Sequence, residues 1–256
     1  MIKTDKYKAP ALEKGLDILE FLAAQSTAQS QAEIAQGLDK SPNEIYRMLA
    51  ALESRGYIHR DQVSTKYALT LKLYYLSHHD SFIDKLRSAA LQAMKETSTL
   101  IKQPCHLGVL YNDKVMVVAY SKSPSPIAVI IEEGNLYSVS QTASGKLLLS
   151  FSESTTKEQA LKTDSYYQTL SKKQREVFEK ELKRITVMGY AEMPSHYAQG
   201  IIDITVPIGN STSGIIACLT VAKLLTLQHE DEISNAKILE ALLRCKTEIE
   251  SNLGLS

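Results

Sequence analysis

Two Ser-x-x-Glu tetrads set eleven residues apart, Ser30-Gln31-Ala32-Glu33 and Ser41-Pro42-Asn43-Glu44, constrain this chain more tightly than anything else in it. In such a box the serine hydroxyl accepts from the amide three residues on, and the glutamate carboxylate reaches back to the serine amide. Two donors that a helix start leaves free are thereby satisfied. Pro42 falls at the first helical position, where its missing N–H costs nothing. Two starts this close leave room only for a short helix and a tight turn. Ile34, Ala35 and Leu38 form the inner side of the first helix, and Ile45, Leu49 and Leu52 that of the second, which stops near Gly56. Asn43, Arg47, Ala50 and Ser54 fall opposite, with Tyr46 on the flank. A preceding helix over residues 11–25 follows from the spacing of Leu12, Leu16, Leu19 and Ala23. Together they predict a helix-turn-helix whose second helix can enter a major groove.

Residues 58–60 and 67–69 alternate around the tip Asp61-Gln62-Val63-Ser64-Thr65, which predicts a hairpin and makes the module a winged helix. The chain carries 29 Lys+Arg against 29 Asp+Glu, so no bulk field draws it to nucleic acid. Local placement has to supply the attraction. Arg47, Arg55, His59, Arg60 and Lys66 gather at the recognition helix and wing, while Glu13, Asp17 and Glu20 lie on the first helix. The candidate contacts to a double-stranded DNA operator are Ser41, Pro42, Asn43, Tyr46 and Arg47 on that helix, and Arg60, Ser64, Thr65 and Lys66 on the wing. Such a module can also serve as a protein-interaction domain. The types at Asn43, Tyr46 and Arg47 suit base edges and phosphates better.

At 256 residues the chain is long enough for two domains. Three cysteines make no disulfide framework, which points to a reducing cytoplasm. No apolar run approaches the ~20 residues that a membrane span needs, and Met1-Ile2-Lys3-Thr4-Asp5-Lys6 lacks the apolar segment of a secretory signal. The expected division is a DNA-binding domain over 1–70, a linker helix over 71–80 and a second domain over 81–256. The helical run breaks near Ser77-His78-His79-Asp80. Adjacent histidines on a helix point about 100° apart, so a solvated joint is favoured there over a metal site. Phe82, Leu86, Ala90 and Ala93 then predict a helix. After Pro104 come expected strands at 105–110 and 114–120 around Asn112-Asp113, then at 127–131, 201–207 and 215–221. A charged helix over 172–188 stops at Gly189, and another closes the chain from about residue 230 to 253. A mostly antiparallel sheet with helices on its faces is an α+β, sensor-like domain.

Leu12-Glu13-Lys14-Gly15-Leu16-Asp17-Ile18-Leu19, Ile45-Tyr46-Arg47-Met48-Leu49 and Leu52-Glu53-Ser54-Arg55-Gly56-Tyr57-Ile58 resemble the IclR family of bacterial transcription regulators. Thr142-Ala143-Ser144-Gly145-Lys146 is similar to the family's Ala-x-Gly-Lys segment beside its effector pocket, and Gly189-Tyr190, Gly200, Val206-Pro207 and Gly214 fall in the family's order. The resemblance implies a GAF-like effector-binding domain, a homodimer or homotetramer, most often repression, and neither cofactor nor enzymatic activity. It places effector contacts at Ala143, Ser144, Gly145, Asp203, Thr220 and Ala222, with Ser195 or His196 in the loop before Gly200. A helix start offers free amides and the positive end of a dipole, so a small organic acid is the expected effector. The loop Met193-Pro194-Ser195-His196-Tyr197-Ala198-Gln199 lacks the acids frequent in the family, and Asp203 stands where cysteine is common. A neutral ligand bonded to Asp203 is therefore the alternative.

Two other readings compete. A thiol nucleophile at Cys105 or Cys218 would need a base, but His106 beside Cys105 points to the opposite face of a strand. A metal or redox site could draw on Cys105 or His106, His196, Asp203 and Cys218, though no paired Cys or His spacing supports one.

Overall fold

The computed structural model describes residues 9–77, 82–210, 214–225 and 233–255. It divides into two compact units, Met1–Ser81 and Phe82–Ser256. In the first, helices α1 (Pro10–Ala23), α2 (Gln31–Gly37) and α3 (Pro42–Ser54) precede a hairpin of β1 (Ile58–Arg60) and β2 (Tyr67–Leu69), then α4 (Lys72–Ser77). Both capping boxes form. The Ser41 amide donates to Glu44 Oε2 at 2.9 Å. That bond, the Ser41 hydroxyl and Lys14 hold the Glu44 carboxyl down at about 2. Gly56, just past α3, takes φ +73°, a left-handed turn that glycine enters without Cβ strain.

Ile18, Leu22, Ile34, Ala35, Ile45, Leu49, Ile58 and Tyr67 make the core of this unit. Here α1 is rotated from the expected phase: Leu12 and Leu16 are 63% and 48% exposed, and Ile18 and Leu22 are buried instead. Both stripes keep helical spacing, and only packing against α2 and α3 chooses between them. Beyond the hairpin, Thr70 Oγ1 donates to Gly56 O at 2.6 Å and Lys72 Nζ to Arg55 O at 2.5 Å. The end of α3 and the start of α4 are thereby tied together.

The second unit runs α5 (Phe82–Ile101), β3 (Cys105–Tyr111), β4 (Lys114–Ser121), β5 (Leu136–Ser138), α6 (Ala143–Phe151), α7 (Ser154–Thr163), α8 (Ser165–Thr169), α9 (Lys172–Met188), β6 (Ala191–Pro194), β7 (Ile201–Asn210), β8 (Gly214–Leu224) and α10 (Asn235–Asn252). Its six strands pair antiparallel in the order β5-β4-β3-β8-β7-β6. Alternation along each strand divides the sheet into two faces. Cys105 and Leu107, Ile204 and Val206, Leu219 and Val221 pack with Leu86, Met94, Leu242 and Ile249 of α5 and α10. The other face carries His106, Asp203, Thr205, Cys218 and Thr220, and part of it is covered by α6, on which α9 packs.

Three expectations need correction. Residues 127–131 are not a strand: β5 already pairs with the outer edge of β4, and Tyr120 Oη instead holds the segment by a 2.8 Å bond to Val129 O. The stretch after Gly134 contains β5, and the segment after Gly189 contains β6. α7 and α8 had no counterpart in the apolar pattern. His78, His79 and Asp80, the amino-terminal hexapeptide, the middle of the β7–β8 connection and the expected start of the closing helix lie outside the described residues. Among the described residues no helix is long and apolar enough to cross a membrane.

Candidate DNA-binding face and effector cavity

The second capping box starts α3, and burial of Ile45 and Leu49 turns its other side outward. Asn43, Tyr46 and Arg47 are exposed there, Tyr46 by 58%, and none of their side chains has a hydrogen bond or ion pair among the described residues. The other expected DNA contacts are already engaged. Ser41 caps α3. The Ser64 hydroxyl donates to Asp61 Oδ1 at 2.7 Å, and Thr65 adopts φ +58°, so both shape the wing tip. Arg60 donates from Nε to Thr65 O at 3.2 Å and lies over the Tyr67 ring at 5.6 Å. Lys66 pairs with Glu33 at 3.3 Å. An exposed pair of this kind contributes at most about 1 kcal/mol, so a phosphate can displace it.

In the second unit a cavity of about 190 Å³ opens on the polar face of the sheet. That is below the ~300–1,000 Å³ of drug-sized sites and suits a small metabolite. Ser144, Ser195, Asp203, Thr220 and Ala222 converge on it from α6, the β6–β7 loop, β7 and β8. Ala143, Gly145 and His196 do not. Ala143 is packed in the core beneath α6. His196 faces a neighbouring groove, where its Nε2 lies 2.7 Å from Gln141 Nε2. Gly145 is small for a different reason than ligand approach: a Cβ there would stand 2.3 Å from the Val139 backbone.

Several lining residues were not anticipated. His106 sits on β3, Tyr137 on β5, and Val129, Ile130 and Ile131 on the strap that replaces the expected strand. Val115, Thr142, Tyr197, Ala198 and Ile201 complete the wall. A polar residue at the inward phase of an apolar strand was the available signal for His106. No local pattern marks the strap.

The start of α6 is fixed from below. Ser138 and Ser140 donate to the two Asp164 carboxylate oxygens, each at 2.6 Å, and the Tyr167 amide adds a 2.7 Å bond. Burial pushes this carboxyl up, but the three hydrogen bonds outweigh it and hold it below its ordinary value. Thr142 then caps α6 by accepting from the Gly145 amide at 3.0 Å. The Ala143 and Ser144 amides have no partner among the described residues.

No Lys or Arg lines the cavity among the described residues. Burial raises the Asp203 carboxyl to about 6, against a weaker pull from Ser195. Burial lowers the His106 imidazole to about 4, and its Nδ1 is buried without a partner among the described residues. The two groups act oppositely on stability. A carboxyl raised in the folded state gives stability that is complete below its unfolded value and lost as pH rises through 6. A depressed histidine gives stability present above about 6.5 and lost as pH falls toward 4. Asp203→Asn therefore raises the melting temperature at pH 7.5 by several degrees, about 2 kcal/mol, and leaves it unchanged near pH 4. A melting series of both proteins from pH 4 to 8 checks this; no gain at pH 7.5 contradicts a desolvated carboxylate.

Cys105 is buried on the face opposite His106, and burial pushes its thiol far above the ordinary range. Cys218 is buried and raised to about 11. Among the described residues no three His, Cys, Asp or Glu side chains come together as a metal site.

Comparison with known proteins accounts for both units. The model of the IclR helix-turn-helix domain matches residues 11–62, and that of the bacterial transcriptional regulator IclR C-terminal domain matches residues 76–251. The regulator KdgR of Escherichia coli K12 is 29% identical over 203 residues, 78% of this chain and 76% of its own. XynR of the same strain is 24% identical over 227 residues, 88% of this chain and 90% of its own. An IclR homolog from Microbacterium hydrocarbonoxydans, solved in complex with 4-hydroxybenzoate, superposes with TM-score 0.80 at 20% identity, covering 96% of this chain and all of that one. Thermotoga maritima IclR superposes with TM-score 0.68 at 21% identity, over 95% of this chain and 98% of that one. These matches are to transcriptional regulators and not to enzymes, and with the winged helix and the curled sheet they show that the chain belongs to the IclR family of bacterial transcription regulators.

Proposed function

We propose that this regulator is a cytoplasmic repressor that binds a pseudo-palindromic operator as a homodimer or a pair of dimers, and that a small organic acid in the second unit changes its hold on DNA. The observation that carries the reading is the row Asn43, Tyr46 and Arg47, whose side chains are exposed and unengaged on a recognition helix that a capping box starts. Two-fold symmetry sets two such helices on half-sites one turn apart. Arg47, Arg60 and Lys66 meet phosphates and make affinity salt-dependent, while Asn43 and Tyr46 choose sequence.

The acid is supported by the unpartnered amide of cavity-lining Ser144 at the start of α6, where the helix dipole favours negative charge. The Microbacterium relative binding 4-hydroxybenzoate is consistent with an acid of this size. Arg87 of α5 pairs with Glu133 of the strap at 2.7 Å and donates to Val118 O, so a ligand that moves the strap also pulls on the helix nearest the DNA-binding unit in sequence. A mobility-shift titration of the full chain on its own promoter region, at low ionic strength and with a panel of organic acids, tests the reading. Binding that weakens with salt and with one of the acids is expected; indifference to the promoter overturns it.

A further inference from the structure

We infer that the groove between α6, α9 and the β6–β7 loop is a second ligand site, separate from the effector cavity, and that it takes an organic phosphate: a phosphoryl dianion at Lys146 and Lys173, with an apolar body along Val177.

The groove encloses about 440 Å³ and shares no residue with the effector cavity. That volume lies within the ~300–1,000 Å³ of small-molecule sites. Two ammonium groups enter it, Lys146 from α6 and Lys173 from α9. Lys146 is half-buried, and its Nζ finds only the Met193 thioether, at 3.7 Å. Burial pushes this ammonium below its ordinary value, and attraction from Glu181 offsets only part of that. Glu181 itself is committed to Arg184, whose Nε and Nη2 donate to its two oxygens at 3.1 and 2.9 Å. The Lys173 side chain and the Tyr166 hydroxyl make no hydrogen bond or ion pair among the described residues.

The other polar side chains of the groove are already engaged. Ser140 donates to Asp164 at 2.6 Å, Gln174 Oε1 accepts from the Ser171 amide at 2.8 Å, and Gln141 Nε2 lies 2.7 Å from His196 Nε2. Two positive charges and one hydroxyl are left unmatched. A cation that loses water without gaining an acceptor oxygen is destabilised, and lysine meets phosphate as a point charge. Two such charges balance a dianion. The effector cavity does not suit this ion, since no Lys or Arg lines it among the described residues and the Asp203 carboxylate would repel it.

Leu170, Val177 and Phe178 line the rest of the groove, with Val177 left 61% exposed. A bare ion would leave that surface in water, whereas an apolar body covers it. His196 faces the groove, while Ser195 and Tyr197 of the same loop line the effector cavity. An occupant of the groove therefore bears on the loop that walls the effector.

Calorimetric titration of the full chain with phenyl phosphate tests it, at pH 7.5 and low ionic strength, where a phosphate monoester with a second pKa of about 6 is a dianion. Phenyl phosphate should bind about tenfold or more tightly than inorganic phosphate, and phenol should not bind. Lys146→Met should weaken it about tenfold or more. Val177→Glu should do the same by setting a carboxylate in the groove, and it changes a side chain already exposed to water. Undiminished affinity in either variant places the phosphate elsewhere and overturns the site, as does silence from phenyl phosphate or equal binding of phenol. Inorganic phosphate as tight as phenyl phosphate overturns the apolar half of the site. Benzoate should displace the probe only at about tenfold excess or more; displacement at equal concentration overturns the choice of a dianion.

Discussion

Arg47→Ala weakens operator binding roughly a hundredfold while leaving the fold unchanged. The guanidinium stands on the outer side of α3, makes no hydrogen bond or ion pair among the described residues, and lies away from Ile45 and Leu49, which anchor the helix. Removing it therefore moves stability by less than about 0.5 kcal/mol. In the proposed two-fold assembly the loss on DNA is counted twice. If each copy contributes about 1.5 kcal/mol, a two-fold assembly loses about 3 kcal/mol, roughly a hundredfold in affinity. The slope of log affinity against log salt should also flatten by about one for each phosphate contact removed. Mobility-shift titrations at several salt concentrations, beside a melting curve, read all three quantities. Undiminished binding would take Arg47 out of the interface. Lys66→Ala should cost less, because Lys66 must first leave Glu33.

Gly145→Ala disables the second unit from the inside. The new methyl would stand 2.3 Å from Val139 Cα and 2.3 Å from Val139 O, backbone atoms that no rotamer change can move aside. Either α6 shifts or the β5–α6 connection does, and Asp164 pins that connection through Ser138 and Ser140. Overpacking of this kind costs about 3 kcal/mol. For a unit of this size that lowers the melting temperature by about 8 °C. The same shift carries Ser144 and its amide away from Thr220, so any effector-induced stabilisation should vanish as well. Gly15→Ala is the control. It lies in α1 with nothing within 4 Å of the added methyl, and replacing a helical glycine by alanine should stabilise by about 0.5–1 kcal/mol. A Gly145→Ala protein that melts and responds normally would disprove the close packing of α6 on Val139.

The elements legible in advance share one property: their signals are local. Ser30 with Glu33, Ser41 with Glu44, Asn112-Asp113 between β3 and β4, and Gly189 after α9 each act within a few residues, and each appears where the spacing set it. The phase of α1 was not local, since Leu12/Leu16 and Ile18/Leu22 satisfy the same period and only α2 and α3 decide between them. Residues 127–131 have strand composition, yet the edge they would have joined is occupied by β5.

The effector cavity divides along the same line. The sequence by itself determined the winged helix, the α+β second unit, and a family likeness that placed Ser144, Ser195, Asp203, Thr220 and Ala222 as candidates. Tertiary structure alone decided that these five meet at one cavity, that His106 and the strap join them, and that His196 turns to another groove. It alone revealed that Gly145 serves Val139. Capping and alternation are enforced over one helical turn or one pleat, whereas a cavity is defined by strands and loops dozens of residues apart, whose approach no short-range rule contains.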